Sequence, residues 1–254
     1  MNSYATENIR TIALVGHEAA GKTSLADALL FKAKAVERRG CVDEGTSVSD
    51  FDEQEKLLKY SIDSALLHLE HQDKRIYLID SPGKPDFVGQ AYGALSAVET
   101  AAIVINASAG VQINTRRLFR EATKRGLARM LILNRLDGDN VHFPELVAAI
   151  RETFGKTCVL FNAPLGIGSG FKGVVNVVTP PAAIPAGCLI DLAAERSMLV
   201  DAIVESDEAL MEKYLSEGNI SDEALIAAIP KAMAAGTVVP IFCTAAKKDK
   251  DIGV

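Results

Sequence analysis

Residues 16–23 near the start of the chain, GHEAAGKT, fit the phosphate-binding pattern G-x-x-x-x-G-K-[ST]. Glycines at both ends let the backbone turn closely enough for consecutive N–H groups to face phosphate oxygens. A lysine then supplies a positive charge and a threonine supplies a hydroxyl for Mg²⁺. The alternative is a chance Gly-Lys-Thr turn. We expect the whole stretch to bind a nucleotide's phosphates, through Gly16, His17, Glu18, Ala19, Ala20, Gly21, Lys22 and Thr23.

A second group of polar residues follows an apolar segment at residues 75–79. Asp80 lies at the end of that predicted strand. Phosphate-loop proteins have their second Mg²⁺-binding group, an acidic residue, at such a position. Gly83 can bring its N–H close to a terminal phosphate because it has no Cβ. The alternative is an ordinary Pro-Gly turn. The prediction adds to the nucleotide site Asp80, Ser81, Pro82, Gly83 and Lys84.

A third group, residues 134–137, follows another apolar segment and resembles the guanine-reading pattern N-K-x-D. Asp137 can accept two hydrogen bonds from the N1–H and amine of guanine, which adenine does not offer. Asn134 would brace the loop and contact the purine edge, with Arg135 and Leu136 between them. The alternative is a strand that ends in a polar turn. Near the end of the chain, a backbone N–H at Ala245 or Ala246 is placed to meet the guanine O6.

The elements that must carry these groups alternate along the chain. Apolar strands are predicted at 10–15, 101–105 and 130–133, and helices at 24–30, 115–125 and 144–154. Residues 62–69 and 75–79 read as two strands joined by a hairpin turn at 71–74. This alternation predicts an α/β fold of the P-loop NTPase type, with a mostly parallel sheet and helices on both faces. The three polar groups then lie along one edge of the sheet.

Composition divides the chain into three parts. Residues 1–155 are predicted to form the core. In residues 156–236, glycine and proline turns precede helices near 192–204 and 221–234, which predicts a small α+β insertion. Residues 237–254 return to the core with a strand at 238–242 and the guanine-contacting loop. The polar connection at 38–56 has weak periodicity, and we expect it to be mobile.

Composition also excludes several classes of protein. The 254 residues are 48% hydrophobic with a net charge of −6, so a broad basic surface and independent DNA binding are not expected, and RNA would be met only locally. No apolar run suits a membrane span and no signal peptide is present, which predicts a cytoplasmic protein. Four separated cysteines indicate neither a zinc site nor a disulfide framework.

With these motifs in place, the chain resembles the GTP-binding domain of bacterial elongation factor G and its paralogues among the translational GTPases. Residues 45–50 with 53–56 resemble that family's entry into switch I, and 107–112 resemble the stretch after its fourth strand. The resemblance implies binding of GTP or GDP with Mg²⁺, and GTP hydrolysis on the ribosome coupled to translocation or subunit recycling. It also implies that the chain stops before further domains. We expect a monomer.

Several residues depart from the family pattern. Ala19 replaces a phosphate-loop aspartate that helps to hold a monovalent cation, and Arg135 replaces the lysine of N-K-x-D. Residues 58–61, LKYS, replace the switch I sequence R-G-I-T. The resemblance therefore implies that Mg²⁺ meets the hydroxyls of Thr23 and Ser61, with Asp80 orienting the ion through water.

Lys84 stands where the family has the histidine that positions the attacking water. An ammonium group has no acceptor lone pair, so it cannot orient water by accepting a proton, although it can neutralise charge on the terminal phosphate. The catalytic candidates are therefore Lys22 and Lys84, and we expect slow hydrolysis. Two alternatives stay open: a GTP-gated ribosome-interaction module with little hydrolysis, and a ribosome-protection factor.

Overall fold

A computed structural model of the chain describes residues 4–248. Its strands are β1 Ile9–Gly16, β2 Ala65–His71, β3 Lys74–Asp80, β4 Thr100–Asn106, β5 Ala128–Asn134, β6 Cys158–Leu160, β7 Asn162–Leu165, β8 Gly173–Asn176 and β9 Val239–Cys243. Its helices are α1 Lys22–Lys32, α2 Glu53–Leu58, α3 Val88–Ser96, α4 Ile113–Lys124, α5 Phe143–Phe154, α6 Leu192–Val204, α7 Glu208–Glu217 and α8 Asp222–Ala235.

Seven strands form one sheet in the order β2-β3-β1-β4-β5-β9-β6. Every neighbouring pair is parallel except β2 and β3. The predicted α/β fold with a mostly parallel sheet is confirmed. In such a sheet the carboxyl ends of parallel strands lie along one edge, so β1, β3 and β5 deliver their following loops to the same place.

Both faces of the sheet are covered, because alternate residues of the central strands enter two different cores. On β4, Ile103 and Ile105 pack in a core that includes residues of α3, α4 and α5. Their neighbours Ala102 and Val104 pack in a second core with Leu25 of α1. This arrangement explains why the strand is apolar at every interior position.

The hairpin of β2 and β3 turns at Gln72 and Asp73, which have φ values of 46° and 59°. Such left-handed angles at both central residues match the twist of the flanking strands. The sequence pattern predicts the first of these strands from residue 62, but it begins at Ala65. The backbone N–H groups of Ile62 and Asp63 donate to Glu55 Oε1 at 2.8 and 3.1 Å instead of joining a strand.

The polar connection after α1 contains α2, a helix that the weak periodicity did not predict. Asp52 begins it by accepting a hydrogen bond from the Gln54 N–H at 2.7 Å. Glu55 returns the interaction by accepting from the Asp52 N–H at 3.2 Å, which completes a capping box. The expected mobility of this connection stays a prediction.

One part of the range predicted as an insertion belongs to the main sheet. Cys158–Leu160 form β6, the edge strand parallel to β9, with Cys158 opposite Val239 and Leu160 opposite Ile241. The boundary at 156 is therefore too early for the sheet, and the segment outside it begins after Leu160. That segment holds the β7–β8 hairpin, α6, α8 and the unpredicted α7. Glu195 of α6 accepts hydrogen bonds from Nη1 and Nη2 of Arg151 on α5 at 3.0 and 2.5 Å.

Candidate functional site

The phosphate loop joins β1 to α1 in a conformation that needs both of its glycines. A Cβ on Gly16 would lie 2.3 Å from the carbonyl oxygen of Val104 on β4. Gly21 precedes α1 with φ 86°, and a Cβ there would lie 2.5 Å from Asn134 Nδ2. Ala19 also adopts a positive φ, 58°, without being glycine. The loop is therefore packed tightly against β4 and the loop after β5.

Lys22 keeps its ammonium group inside this loop. Its Nζ donates to the carbonyl oxygens of His17 and Gly16 at 3.0 and 3.3 Å, and the residue is buried. Burial lowers the pKa of Lys22 to about 8, while the charges of Asp80 and Glu18 act in the opposite direction. Carbonyl oxygens offer only partial negative charge, so an anion here would be a better partner for the ammonium group.

The segment after β3 packs directly against the phosphate loop. A Cβ on Gly83 would lie 2.4 Å from Lys22 Nζ and 2.7 Å from the His17 carbonyl oxygen, so only glycine fits. Ser81 fixes this approach, because its hydroxyl donates to the Leu14 carbonyl oxygen at 2.8 Å. Pro82 between them is buried. The structure thus brings the first two predicted groups into contact.

Hydroxyl and carboxylate groups gather at the start of α1. The Thr23 and Ser61 hydroxyl oxygens are 3.1 Å apart, and Ser61 Oγ donates to Asp50 Oδ1 at 2.7 Å. Nearby, Ser49 Oγ donates to Asp80 Oδ2 at 2.6 Å. Asp50 and Ser49 were not predicted as site residues, because the sequence shows them only as part of a polar connection.

This oxygen-rich group fits a magnesium ion. Asp80 is buried, and its Oδ1 has no hydrogen-bond partner among residues 4–248. Mg²⁺ prefers oxygen ligands, and an orphaned carboxylate oxygen beside two hydroxyls is the chemistry it would use. Within the described ranges no cluster of three or more His, Cys, Asp or Glu side chains forms a dedicated metal site. An ion here would therefore need phosphate or water oxygens to complete its shell.

The electrostatics of Asp80 also suit a cation. Burial raises the pKa of Asp80 to about 6, while the hydroxyls of Ser49 and Thr23 and the charge of Lys22 oppose the rise. Burial likewise raises the pKa of Asp50 above its ordinary value. Two carboxylates are thus held where ionisation costs free energy, and a bound dication would lower that cost.

Asn134, at the end of β5, connects the phosphate loop to the loop after β9. Its Nδ2 donates to the carbonyl oxygens of Ala20 and Gly21 at 3.0 and 3.3 Å. Its Oδ1 accepts from the N–H groups of Arg135 and Ala246 at 2.8 and 3.0 Å. These four bonds engage both the donor and the acceptor atom of the amide. Bracing is therefore the role that its geometry supports, and contact with the purine edge stays a prediction.

The remaining residues of the predicted base-reading group are placed differently from one another. Arg135 lines the cleft, whereas Leu136 is fully buried and its carbonyl oxygen accepts from the Gly168 N–H at 2.8 Å. Asp137 is half-buried and does not line the cleft. Ala245 and Ala246 are both buried. The Ala246 N–H, for which we predicted a contact with guanine O6, donates to Asn134.

His17 turns its side chain away from the cleft. Its Nδ1 lies 3.3 Å from Thr115 Oγ1 on α4, and its Nε2 accepts from the Asn106 N–H at 3.4 Å. Burial, together with the charges of Lys22 and Arg135, lowers the pKa of His17 to about 4. The ring is therefore neutral near pH 7. In the phosphate loop this residue contributes its backbone rather than its imidazole.

The cleft between these segments has a volume of about 660 Å³. Seven lysines and arginines line it against four acidic residues: Lys22, Arg38, Arg39, Lys59, Lys84, Arg135 and Lys247, with Glu18, Asp43, Glu44 and Asp50. The whole chain has a net charge of −6, so positive charge is concentrated here. Such a cleft attracts an anionic ligand.

The connection after α1 contacts the loop after β9 at one end of the cleft. An Arg39 Nη2 group donates to the Ala246 carbonyl oxygen, and Lys247 Nζ pairs with Asp43 Oδ2 at 2.7 Å. The sequence did not predict these contacts, because the partners lie more than two hundred residues apart and carry no motif. None of the helices in the described range 4–248 combines the length and the apolar composition of a membrane span.

Comparison with known proteins agrees with this geometry. The chain matches the family model described as the elongation factor Tu GTP binding domain over residues 7–253. It is 30% identical over 263 residues to an elongation factor G from Petrotoga mobilis, covering 98% of this chain and 38% of the relative. It is 34% identical over 244 residues to an elongation factor G-like protein from Mycobacterium tuberculosis, covering 92% and 34%.

A crystal structure of a protein from Thermus thermophilus is similar in fold, with a TM-score of 0.84 and 33% identity, covering 95% of this chain and 38% of that one. The chain thus spans between a third and two fifths of the length of the relatives it matches. The chain belongs to the family of the elongation factor Tu GTP binding domain, as the GTP-binding domain of a translational GTPase similar to elongation factor G.

Proposed function

We propose that this domain binds GTP and GDP together with Mg²⁺ and hydrolyses GTP slowly, as the nucleotide-dependent part of a factor that acts on the ribosome. The observation that carries the proposal is the cationic cleft at the phosphate loop, where Gly83 packs against Lys22 and the buried Asp80 carboxylate lies close enough to act on the charge of Lys22. Family membership supplies the guanine nucleotide as the ligand class.

Each group of residues has its own role in this proposal. The N–H groups of residues 16–23 and the Lys22 ammonium hold the phosphates. Thr23 and Ser61 would offer hydroxyl ligands to the ion, and Asp80 would act on it through water. Asn134 braces the base-side loops, and Asp137 accepts from the guanine N1–H and amine. Mg²⁺, when bound, neutralises charge on the phosphates.

Hydrolysis is proposed to be slow because of Lys84. Its ammonium group is a donor only, so it offers no lone pair to a water molecule that must lose a proton. In the structure it lies 3.7 Å from Glu18 Oε1, where it supplies positive charge near Lys22. This contact favours charge neutralisation over water activation, and it supports the second candidate function, a GTP-gated interaction module with little turnover.

The biological setting is also a proposal, because the matched relatives are longer than this chain. One relative carries the name elongation factor G and another the name elongation factor G-like protein. We infer a cytoplasmic factor whose GTP state controls ribosome binding during translocation, recycling or ribosome protection. We further propose that residues 161–236 form an insertion between β6 and β9 of the GTPase core.

Two measurements test the proposal in order. Isothermal titration with GTP, GDP and ATP, with and without Mg²⁺, should show binding of both guanine nucleotides and none of ATP. Equal binding of ATP would remove the guanine assignment. Single-turnover hydrolysis with ribosomes should then be much slower than for an ordinary elongation factor, and a matching rate would remove the proposed impairment.

A further inference from the structure

Three segments around the phosphate end of the cleft meet at one ammonium group. Lys84 Nζ lies 3.5 Å from the centroid of the Tyr60 ring and 3.7 Å from Glu18 Oε1. Glu18 belongs to the phosphate loop, Tyr60 follows α2, and Lys84 lies in the segment after β3. One cation therefore joins all three segments through a ring face and a carboxylate.

Local structure places both partners of the lysine. Lys59 ends α2 with φ 58°, in the left-handed region, and its N–H donates to the Glu55 carbonyl oxygen at 2.7 Å. The chain turns there, so that Tyr60 and Ser61 reach the cleft. On the other side, Gly83 packs against the Lys22 ammonium, which fixes Lys84 as the next residue beside the phosphate loop.

The two present partners of Lys84 are weak ones. Its side chain is 28% exposed and that of Glu18 is 55% exposed, so water screens the ion pair at 3.7 Å. A lysine over an aromatic ring is a modest attraction that tolerates a second, anionic partner on its open side. A terminal phosphate carries more charge and more acceptor oxygens than one exposed carboxylate. It would therefore compete well with Glu18 for the ammonium group.

We infer that Lys84 senses the third phosphate of the nucleotide, that Tyr60 holds its ammonium group at the phosphate end of the cleft, and that Glu18 is the anion which the phosphate displaces. The inference rests on the proposed function, since it needs a guanine nucleotide in the cleft. Tyr60 is a positioning residue that acts through Lys84. In this arrangement, the preference for GTP over GDP depends on contacts among the phosphate loop, the residues after α2 and the segment after β3. It does not depend on activation of a water molecule.

The three roles predict changes of opposite sign in one quantity, the ratio of affinities for β,γ-imido GTP and GDP at fixed Mg²⁺. Lys84→Met keeps the length and loses the charge, so the ratio should fall roughly tenfold. Tyr60→Leu loses the ring and should lower it about threefold. Glu18→Gln removes the competing charge and should raise it about twofold to threefold.

Conservative variants separate positioning from simple packing. Lys84→Arg keeps a cation that stacks on rings, and Tyr60→Phe keeps the ring face, so both should hold the ratio near that of the wild type. Lys56→Met, on an exposed lysine of α2, is the matched control and should change nothing. The GDP affinity of each variant reports that its site is folded.

Calorimetric titration of each variant with β,γ-imido GTP and with GDP tests the inference. The inference is overturned if Lys84→Met and Tyr60→Leu keep the wild-type ratio, or if Tyr60→Phe lowers it as much as Tyr60→Leu. If Lys84→Met fails to bind GDP, Glu18→Gln carries the test alone, and an unchanged or lowered ratio overturns the inference. If the wild type binds neither nucleotide, the proposed function itself is wrong.

Discussion

The Asn134 side chain donates to the carbonyl oxygen of Ala20, 3.0 Å away across 114 positions of sequence. Together with its bond to the Ala246 N–H, this contact fixes the phosphate loop and the loop after β9 to the end of one strand. The two halves of the nucleotide site are therefore not independent. Loss of this one amide should disturb both.

Asn134→Ala should lower the free energy of unfolding by roughly 2–4 kcal/mol, because it leaves several buried backbone groups without partners. It should also weaken GTP binding by about tenfold or more. Asn162→Ala is the matched control, since Asn162 exchanges two hydrogen bonds with Cys243 outside the cleft. That variant should lose stability in urea titrations but keep its GTP affinity. Equal GTP affinities for both variants would contradict the bracing role of Asn134.

Asp137→Asn should weaken GTP binding by roughly tenfold to a hundredfold, because an amide presents a donor where guanine also presents donors. Xanthosine triphosphate, which carries an oxygen in place of the amine, should bind better than to the wild type. Asp139→Asn, on an exposed neighbour, is the control. Titration of both nucleotides checks the prediction, and an unchanged GTP affinity would remove Asp137 from the base site.

Lys84→His should raise single-turnover GTP hydrolysis by about tenfold or more, since neutral imidazole has the lone pair that an ammonium group lacks. Its GTP affinity should not improve. Quenched-flow hydrolysis assays with ribosomes, at GTP concentrations far above the dissociation constant, measure the change directly. An unchanged rate would mean that Lys84 is not the cause of slow turnover.

His17 should make the nucleotide-free domain less stable in acid. Its pKa of about 4 in the folded state lies below its ordinary value of 6.5, so the unfolded chain binds more protons between these limits. Stability should therefore be fully present above the upper limit and fall as the pH drops toward 4, by roughly 1–2 kcal/mol between pH 7 and pH 5. Urea titrations of His17→Gln should lack this part of the slope. A slope equal to that of the wild type would contradict the assignment.

Lys59→Gly should stabilise the domain by about 0.5–1 kcal/mol, because a glycine avoids the Cβ clash at φ 58°. The switch I pattern R-G-I-T of the family that the sequence resembles has glycine at the corresponding place. Lys56→Gly within α2 is the control and should destabilise by a similar amount, since it weakens a helical position. Thermal unfolding of the two variants should thus shift in opposite directions.

The sheet could be predicted from the sequence because its central strands are apolar at every interior position, as at 101–105. The edge strand β6 could not, since a strand of three residues is too short to carry a periodic signal. The capping-box residues Asp52 and Glu55 indicate the start of α2, but they lie in a charged stretch whose weak periodicity does not predict a helix. The lysine itself does not indicate the left-handed conformation of Lys59, because a lysine rarely takes that angle.

The candidate site also has a part that the sequence predicts and a part that it does not. The phosphate loop and the guanine-reading pattern are local, so their residues could be proposed from spacing alone. The contacts of Lys84 with Tyr60, and of Ser61 with Asp50, depend on where α2 ends and how the chain turns after it. These contacts are properties of the folded connection. Sequence spacing therefore proposes site residues without predicting how they meet.

The position of β9 has a consequence for the order in which the domain assembles. This strand lies between β5 and β6 in the sheet, yet it is the last strand described along the chain. While the chain is being synthesised, β5 and β6 are both available before the strand that joins them, so the sheet has an open slot. The partner of Asn134 at Ala246 arrives later still. Tight nucleotide binding would therefore begin only when this slot is filled, and a nascent chain would not retain GTP before that step.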